Sequence, residues 1–171
     1  LRVGASLVLH NSFLFLEDLL NKLDKLACTG FAGVPMTFQH LLRRSNFPQR
    51  QFPHLRYVQQ AGGRLPDVFI KEFLAAQPHV RYFTMYGATE ATARLSYLPP
   101  ERLTDKLGSI GRGIPGVSLK VVDVNGKPVA PGEIGEIVAE GDNITLGYWL
   151  PDPLKDSFRR GKLYTGDMAR V

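Results

Sequence analysis

Apolar residues in the first hundred positions alternate between short strand-like runs and longer stripes with helical spacing. The strand-like runs cover residues 3–9, 28–34, 55–60 and 80–85. Between them, leucine and phenylalanine residues recur every three or four positions, as they do on one face of an amphipathic helix. Repeated strand–helix units of this length predict an α/β fold, with a mostly parallel sheet and covering helices.

Three helices are predicted between these strands from the apolar spacing. The first spans residues 16–26 and has Glu17 and Asp18 in its first turn, where the helix dipole favours acidic side chains. The second begins at Pro35 and the third at Pro66, because proline suits the first turn of a helix. The apolar stripes are Leu16, Leu19, Leu20, Leu23 and Leu26; Val34, Phe38, Leu41 and Leu42; and Leu65, Phe69, Phe73 and Ala76.

After a double proline at residue 100, glycine-rich turns and strand-like alternation replace the helical stripes. Apolar and polar residues alternate over residues 117–121, and Asn125-Gly126 is a strong signal for a hairpin turn. A returning strand is expected over residues 134–139. We therefore expect residues 1–100 to be part of an α/β subdomain. Residues 101–171 are expected to form a small antiparallel β subdomain, either barrel-like or a curled sheet.

The composition is that of an ordinary globular protein. The chain has 171 residues, 44% apolar and 22% charged, which excludes disordered, collagen-like and disulfide-stapled classes. No apolar run approaches the roughly 20 residues that span a bilayer. The single cysteine, Cys28, fits a reducing compartment, so we expect a cytoplasmic protein. Because the sequence opens on strand-like residues without a methionine and ends without a polar tail, we expect it to be part of a longer polypeptide.

The formal net charge is +5, and the excess of basic residues lies mainly in Arg43, Arg44, Arg50 and Arg56. A basic nucleic-acid-binding face combines such charge with exposed aromatic rings. The segment from residue 47 to residue 57 contains three aromatic residues that could serve this purpose. The alternative is a solvated surface in which arginine is favoured near a helix C-terminus.

The most informative polar residues directly follow the last predicted strand of the α/β part. Residues 86–90 are Tyr-Gly-Ala-Thr-Glu, and ligands of open α/β sheets bind beyond the carboxyl ends of strands. The Tyr86 ring can stack on a base, and Gly87 lets the backbone approach a ligand closely. Thr89 offers a hydroxyl to a phosphate, and Glu90 offers an oxygen ligand to Mg²⁺. The alternative is a turn capped by Thr89, with Glu90 at the start of a helix.

Two further segments have a functional and a structural interpretation. Gly62 and Gly63 follow the third predicted strand, where they either form a tight turn or leave space for a flat ring against the backbone. Residues 164–167 are Tyr-Thr-Gly-Asp, and the Asp167 carboxylate can accept hydrogen bonds from both hydroxyls of a ribose. The alternative for this segment is a β-turn, with Gly166 and Asp167 in the usual turn positions.

Taken in order along the chain, these segments resemble those of the adenylate-forming superfamily, which includes acyl-CoA synthetases, luciferases and peptide-synthetase adenylation domains. The matching segments are 33–35, 62–63, 86–90, 108–116, 126–128, 131–136, 147–149 and 164–167, so the resemblance extends over nearly the whole chain. It is closer to the acyl-CoA synthetases than to the peptide-synthetase domains. The sequence departs from the family at Arg160-Gly161-Lys162, where relatives commonly have an acidic residue, Gly and Trp.

The resemblance implies a nucleotide site for ATP or AMP. Tyr86 would stack on adenine, and the backbone of Gly62 and Gly63 would flank the purine and the acyl pocket. Gly87 would belong to the same nucleotide-binding loop as Tyr86. The Asp167 carboxylate would bind both ribose hydroxyls.

The resemblance also implies the chemistry and names Thr89 and Glu90 as the catalytic candidates. Thr89 would touch the α-phosphate and Glu90 would hold Mg²⁺. In the family, a carboxylic acid such as a fatty acid attacks the α-phosphate of ATP, and the resulting acyl-adenylate passes to a thiol of coenzyme A or a carrier phosphopantetheine. The phosphate loop and the distal catalytic lysine of that family do not occur in residues 1–171, so we expect this chain alone to be inactive.

Two other functions stay open at the level of the sequence. A degenerate relative could bind an adenylate or an acyl ligand without catalysis. A nucleic-acid-binding module could instead use the basic stretch of residues 43–56, and salt-dependent binding to oligonucleotides would distinguish it.

Overall fold

The computed structural model describes residues 4–10, 12–150 and 157–171. The chain divides into two compact units, Leu1–Tyr82 and Phe83–Val171. The assignment of residues 1–100 and 101–171 to two subdomains of a larger enzyme stays a prediction. Within the described residues, no helix has the length and apolar character needed to cross a membrane.

The first unit confirms the three predicted helices and contains two parallel strands. Its elements are α1 (Leu16–Lys25), β1 (Gly30–Gly33), α2 (Pro35–Arg44), β2 (Tyr57–Gln60) and α3 (Asp67–Ala76). The register places Gly30 opposite Tyr57 and Gly33 opposite Gln60. Both strands are shorter than predicted. β1 starts late because the end of α1 uses the preceding residues: Ala27 has a φ of 48°, and the Cys28 amide donates to the Leu23 carbonyl at 2.9 Å.

The apolar stripes of the helices form most of the core of this unit. Phe38 of α2 and Phe73 of α3 are fully buried, and each lies against the Tyr82 ring, at centroid distances of 5.4 and 5.2 Å. Burying one such side chain contributes roughly 1.5–3 kcal/mol. Val34 and Leu26, which were predicted to belong to the stripes, are 51% and 55% exposed. They occupy the N-cap of α2 and the C-cap of α1, where the side chain no longer follows the helical face.

The strand predicted over residues 3–9 is wrong for the residues that the structure describes. Gly4–His10 have no assigned strand, and Val3 lies outside the described residues. Leu7 and Leu9 are 69% and 76% exposed. Apolar alternation stabilises a strand only where a neighbouring strand and a covering layer bury it, and the described residues supply neither here.

The second unit begins within a strand, and its first strands pair antiparallel. Its opening strands are β3 (Arg81–Tyr86, which starts at the end of the first unit), β4 (Ser96–Leu98) and β5 (Arg112–Gly113). Tyr86 pairs with Ser96, and Ser96 pairs with Gly113. The predicted α/β class is confirmed, as a mixed sheet with covering helices and a separate antiparallel sheet. The sequence did not reveal β4 and β5, because each is only two or three residues long.

The separate antiparallel sheet follows the prediction for the end of the chain. Its strands are β6 (Ser118–Val122), β7 (Ile134–Glu140), β8 (Phe158–Arg159) and β9 (Lys162–Arg170), in the order β6-β7-β9-β8. The predicted turn at Asn125-Gly126 is confirmed, since Gly126 has a φ of 76° and its amide donates to the Asp123 carbonyl at 2.9 Å. Buried Ala139 and Leu163 lie in one cluster with Ala91 and Leu95, which joins this sheet to the segment after β3.

Candidate functional site

Tyr86 is the last residue of β3, and the chain turns away from the strand immediately after it. Gly87 makes this turn possible. A Cβ atom built on Gly87 would overlap the carbonyl oxygen of Ala93 and would lie 2.8 Å from the Arg94 Cα. No real side chain tolerates such contacts with backbone atoms, so glycine is required by close packing at this point.

Thr89 and Glu90 lie in a short 3₁₀ helix, Thr89–Ala91. The residue at its N-cap is Ala88, which has no side-chain acceptor, so capping by Thr89 is wrong, whereas the other part of that alternative, Glu90 at the start of a helix, is confirmed. Thr89 is instead the first helical residue and is exposed. The residue is therefore accessible from solvent, as a contact to a ligand requires.

The Glu90 carboxylate is held by a tyrosine that the sequence did not single out for a role. The Tyr148 hydroxyl donates to Glu90 Oε1 at 2.6 Å, and the Tyr148 ring meets Phe158 edge-on at 5.3 Å. This hydrogen bond is the main reason why the pKa of Glu90 lies below its ordinary value. Glu90 is consequently ionised at neutral pH, and one of its carboxylate oxygens is held by Tyr148.

The structure brings together Tyr86 and Asp167, which are 81 positions apart in the chain. The Tyr86 hydroxyl donates to Asp167 Oδ2 at 2.6 Å. Burial and, after it, this hydrogen bond raise the pKa of Tyr86. The phenol therefore keeps its proton throughout the physiological range and orients the Asp167 carboxylate.

Asp167 owes its position to an irregularity inside β9 rather than to a β-turn. Glu136 pairs with Met168 and Val138 pairs with Tyr164, so three residues of β9 lie opposite one residue of β7. Gly166, inside this bulge, has a φ of 76°, and its amide donates to Glu136 Oε1 at 2.9 Å. The β-turn predicted as the structural alternative for residues 164–167 is therefore wrong, because the segment lies within a strand.

The predicted glycine pair lies in the first unit. Gly62 and Gly63 have φ values of 80° and 145°, and the buried Gln60 side chain donates through Nε2 to the Gly63 carbonyl at 2.7 Å. The chain thus bends at this glycine pair. Its proximity to the predicted nucleotide-binding residues of the second unit stays a prediction.

The described residues contain no group of three His, Cys, Asp or Glu side chains that could hold a metal ion. Mg²⁺ does not need such a group, because it keeps several waters and often takes one or two carboxylates together with substrate phosphates. The ionised Glu90 carboxylate fits this requirement. Glu90 is thus compatible with Mg²⁺ that is bound jointly with a nucleotide.

Two of the three aromatic residues beside the basic stretch are buried, and the third is exposed. Phe47 and Phe52 are only 1% and 2% exposed, whereas Tyr57 is 38% exposed. Arg43 pairs with Glu72, and Arg50 lies 3.4 Å from Asp24 Oδ2. These contacts are those of a folded surface with internal ion pairs, and the nucleic-acid alternative stays a prediction.

This chain is similar in sequence to known proteins. Residues 1–149 match a family model described as AMP-binding enzyme. The chain is 34% identical to a long-chain-fatty-acid–CoA ligase of Salmonella typhimurium, over 90% of this chain and 27% of the ligase. It is 28% identical to a feruloyl-CoA synthase of an Amycolatopsis species, over 98% of this chain and 34% of the synthase.

A solved structure has the same arrangement of elements. The o-succinylbenzoate coenzyme A synthetase of Bacillus subtilis, in complex with ATP and magnesium ion, has a TM-score of 0.80 and 27% identity, covering 92% of this chain and 32% of the synthetase. The chain spans about a third or less of the length of these relatives. With the family model matching most of its length and the fold agreeing, the chain belongs to the AMP-binding enzyme family.

Proposed function

We propose that this chain is a segment of an ATP-dependent acid–thiol ligase, which activates a carboxylic acid as an acyl-adenylate and passes it to coenzyme A. The observation that supports this most directly is the hydrogen bond between Tyr86 and Asp167. It brings two segments that are distant in the chain, each expected to bind one part of adenosine, to a single place in the second unit. If only one of the two segments, 86–90 or 164–167, resembled the family by chance, there would be no reason for them to be in contact.

The proposed roles follow the chemistry of each side chain. The Tyr86 ring stacks on adenine, and Gly87 lets the backbone approach the nucleotide closely. Asp167 accepts hydrogen bonds from the ribose hydroxyls. The Gly62-Gly63 pair flanks the purine. The Tyr86 hydroxyl holds one oxygen of Asp167, so the carboxylate is oriented before ligand binds.

The proposed reaction requires charge stabilisation, since an anionic carboxylate must approach a polyanionic triphosphate. Mg²⁺, when bound with ATP, offsets part of this repulsion and polarises the phosphate oxygens. Glu90 is the proposed ligand, and the Tyr148 hydroxyl holds its carboxylate in place. Thr89, which is exposed, presents its hydroxyl to the α-phosphate.

The relatives act on a long-chain fatty acid, a ferulate and an o-succinylbenzoate, so the proposal commits to a carboxylic acid and coenzyme A and not to one acid. A cytoplasmic location agrees with the single cysteine. The competing proposal is a relative that binds an adenylate or acyl ligand without catalysis. The presence or absence of the phosphate loop and distal lysine in the parent gene distinguishes the two.

The nucleotide site is tested by measuring AMP binding to this chain with titration calorimetry. Asp167→Ala should weaken AMP binding about tenfold or more, because a hydrogen bond to a charged group contributes roughly 1.5–3 kcal/mol. Asp105→Ala is the matched control, since Asp105 is an exposed carboxylate that pairs with Arg102. If Asp167→Ala binds AMP as well as the unaltered chain, the proposed ribose contact is wrong.

A further inference from the structure

The segment that follows Glu90 has an unusual backbone. Thr92 and Ala93 are consecutive residues with φ values of 48° and 74°. Left-handed conformations are uncommon for residues with a Cβ atom, and two in succession persist only where surrounding contacts impose them. The same segment contains Thr89 and Glu90 two or three residues earlier, so whatever imposes this backbone also determines where those two side chains point.

The backbone of this segment closes on itself, with the Ala93 amide donating to the Ala88 carbonyl at 3.1 Å, and Asn143 adds side-chain contacts from outside it. Its side-chain Nδ2 donates to the Ala91 carbonyl and to the Arg94 carbonyl, each at 2.9 Å, so the two hydrogen bonds enclose the left-handed pair. Both partners are carbonyl oxygens, which can only accept, so the side chain must present its NH₂ group. Of the residues with short side chains, only asparagine offers two donors from one atom without adding a charge.

The loop around Asn143 adds two further hydrogen bonds to the same segment. The Thr92 hydroxyl donates to the Asn143 carbonyl at 3.3 Å, and the Thr145 amide donates to the Glu90 carbonyl at 2.8 Å. The Asn143 Oδ1 atom is buried, and a Cβ atom on Gly141 would lie 2.9 Å from it. The loop is therefore packed closely against the backbone that bears the catalytic candidates.

We infer that Asn143 is a positioning residue, whose two hydrogen bonds hold the left-handed Thr92-Ala93 pair and thereby aim Thr89 and Glu90 at the phosphate of the nucleotide. This inference rests on the proposed function, because it assigns Thr89 to the α-phosphate. It predicts that Asn143 affects recognition of the phosphate more than recognition of adenosine, which Tyr86 and Asp167 bind.

The test compares the affinities of this chain for AMP and for adenosine, measured by calorimetry. Asn143→Ala should reduce the ratio of AMP affinity to adenosine affinity by about threefold to tenfold, the range expected from the loss of one to two hydrogen bonds. Asn125→Ala, which removes an exposed amide from a hairpin turn, should leave the ratio unchanged. If Asn143→Ala does not fold, Asn143→Ser, which keeps one donor, should show a smaller reduction of the same ratio.

A second measurement tests whether Asn143 acts through the left-handed pair. Thr92→Gly together with Ala93→Gly removes the Cβ atoms that disfavour this backbone. In that background, Asn143→Ala should reduce the affinity ratio by clearly less than in the unaltered chain. An equal reduction in both backgrounds, or an unchanged ratio in Asn143→Ala, would overturn the inference while leaving the proposed function intact. If the unaltered chain binds neither AMP nor adenosine, the proposed function and the inference both fail.

Discussion

Gly87 lies where a single added carbon would collide with backbone atoms. A Cβ at this position would overlap the Ala93 carbonyl oxygen and lie 2.8 Å from the Ala93 carbonyl carbon. Both atoms belong to the backbone and not to a flexible side chain. The overlap can therefore be removed only if the backbone itself shifts. Because Tyr86 directly precedes Gly87, such a shift would also displace the proposed adenine contact.

Gly87→Ala should therefore lower the free energy of unfolding by about 1–3 kcal/mol, the usual effect of overpacking, and should also weaken AMP binding. Chemical denaturation and calorimetry measure the two effects. Gly116→Ala is a suitable comparison, because a Cβ there meets no atom within 4 Å and only the positive φ of 83° disfavours alanine. If Gly87→Ala is no less stable than Gly116→Ala, the close approach to Ala93 does not exist in solution.

The residue scale also shows what sequence reasoning could and could not predict about the site. The types of Tyr86, Glu90 and Asp167 were sufficient to suggest their roles, because aromatic stacking and carboxylate acceptance are properties of single side chains. Tyr148 and Asn143 received no role, since a tyrosine in a loop and an asparagine after a strand have many uses. Their partners become visible only when the fold places them beside Glu90 and Ala91.

At the scale of elements, the helices were predicted well and the strands less so. An amphipathic helix such as α1 is specified by its own spacing, and Leu16, Leu19, Leu20 and Leu23 are buried as expected. A strand depends on neighbours that may lie far away in sequence. Residues 4–10 have suitable apolar residues and no assigned strand, whereas the short β4 is a strand because Tyr86 and Gly113 both pair with Ser96.

The bulge in β9 determines where Asp167 lies, and it depends on Gly166. With a φ of 76°, Gly166 adopts a conformation that disfavours alanine by about 1–2 kcal/mol. Gly161, in the turn between β8 and β9, has a φ of 75°, and a Cβ would meet no atom within 4 Å at either position. An alanine would therefore be disfavoured to a similar extent at both positions, although Gly166 lies in the bulge and Gly161 lies in the turn.

Gly166→Ala and Gly161→Ala should consequently reduce stability by similar amounts, whereas only Gly166→Ala should weaken AMP binding. Thermal unfolding gives the first quantity and calorimetry the second. The physical reason is that relaxation of the bulge moves Asp167 away from the Tyr86 hydroxyl, whereas relaxation of the β8–β9 turn leaves that contact in place. Equal AMP affinities of the two variants would show that the bulge does not position Asp167.

At the scale of the whole molecule, the basic residues that give the chain its net charge lie outside the proposed nucleotide-binding segments. The net charge of +5 arises largely from arginines of the first unit, and Arg43 and Arg50 are engaged with Glu72 and Asp24. The proposed nucleotide-binding segments 62–63, 86–90 and 164–167 contain no lysine or arginine. The proposed function assigns adenosine to these segments, but they offer no cation to a triphosphate that an anionic acid must approach.

We therefore expect this chain to bind AMP without forming acyl-adenylates by itself. The chain covers 27% of the length of the Salmonella typhimurium ligase. The test incubates the chain with ATP, Mg²⁺ and a panel of fatty and aromatic acids. The unaltered chain should release pyrophosphate no faster than the Asp167→Ala variant does, although the unaltered chain still binds AMP.

Pyrophosphate release that is robust, depends on the acid and is lost in Asp167→Ala would show that these 171 residues suffice for catalysis. In that case the charge stabilisation must come from Mg²⁺ and from cations outside the recognised segments, and Arg94, four residues after Glu90, would be the first to replace.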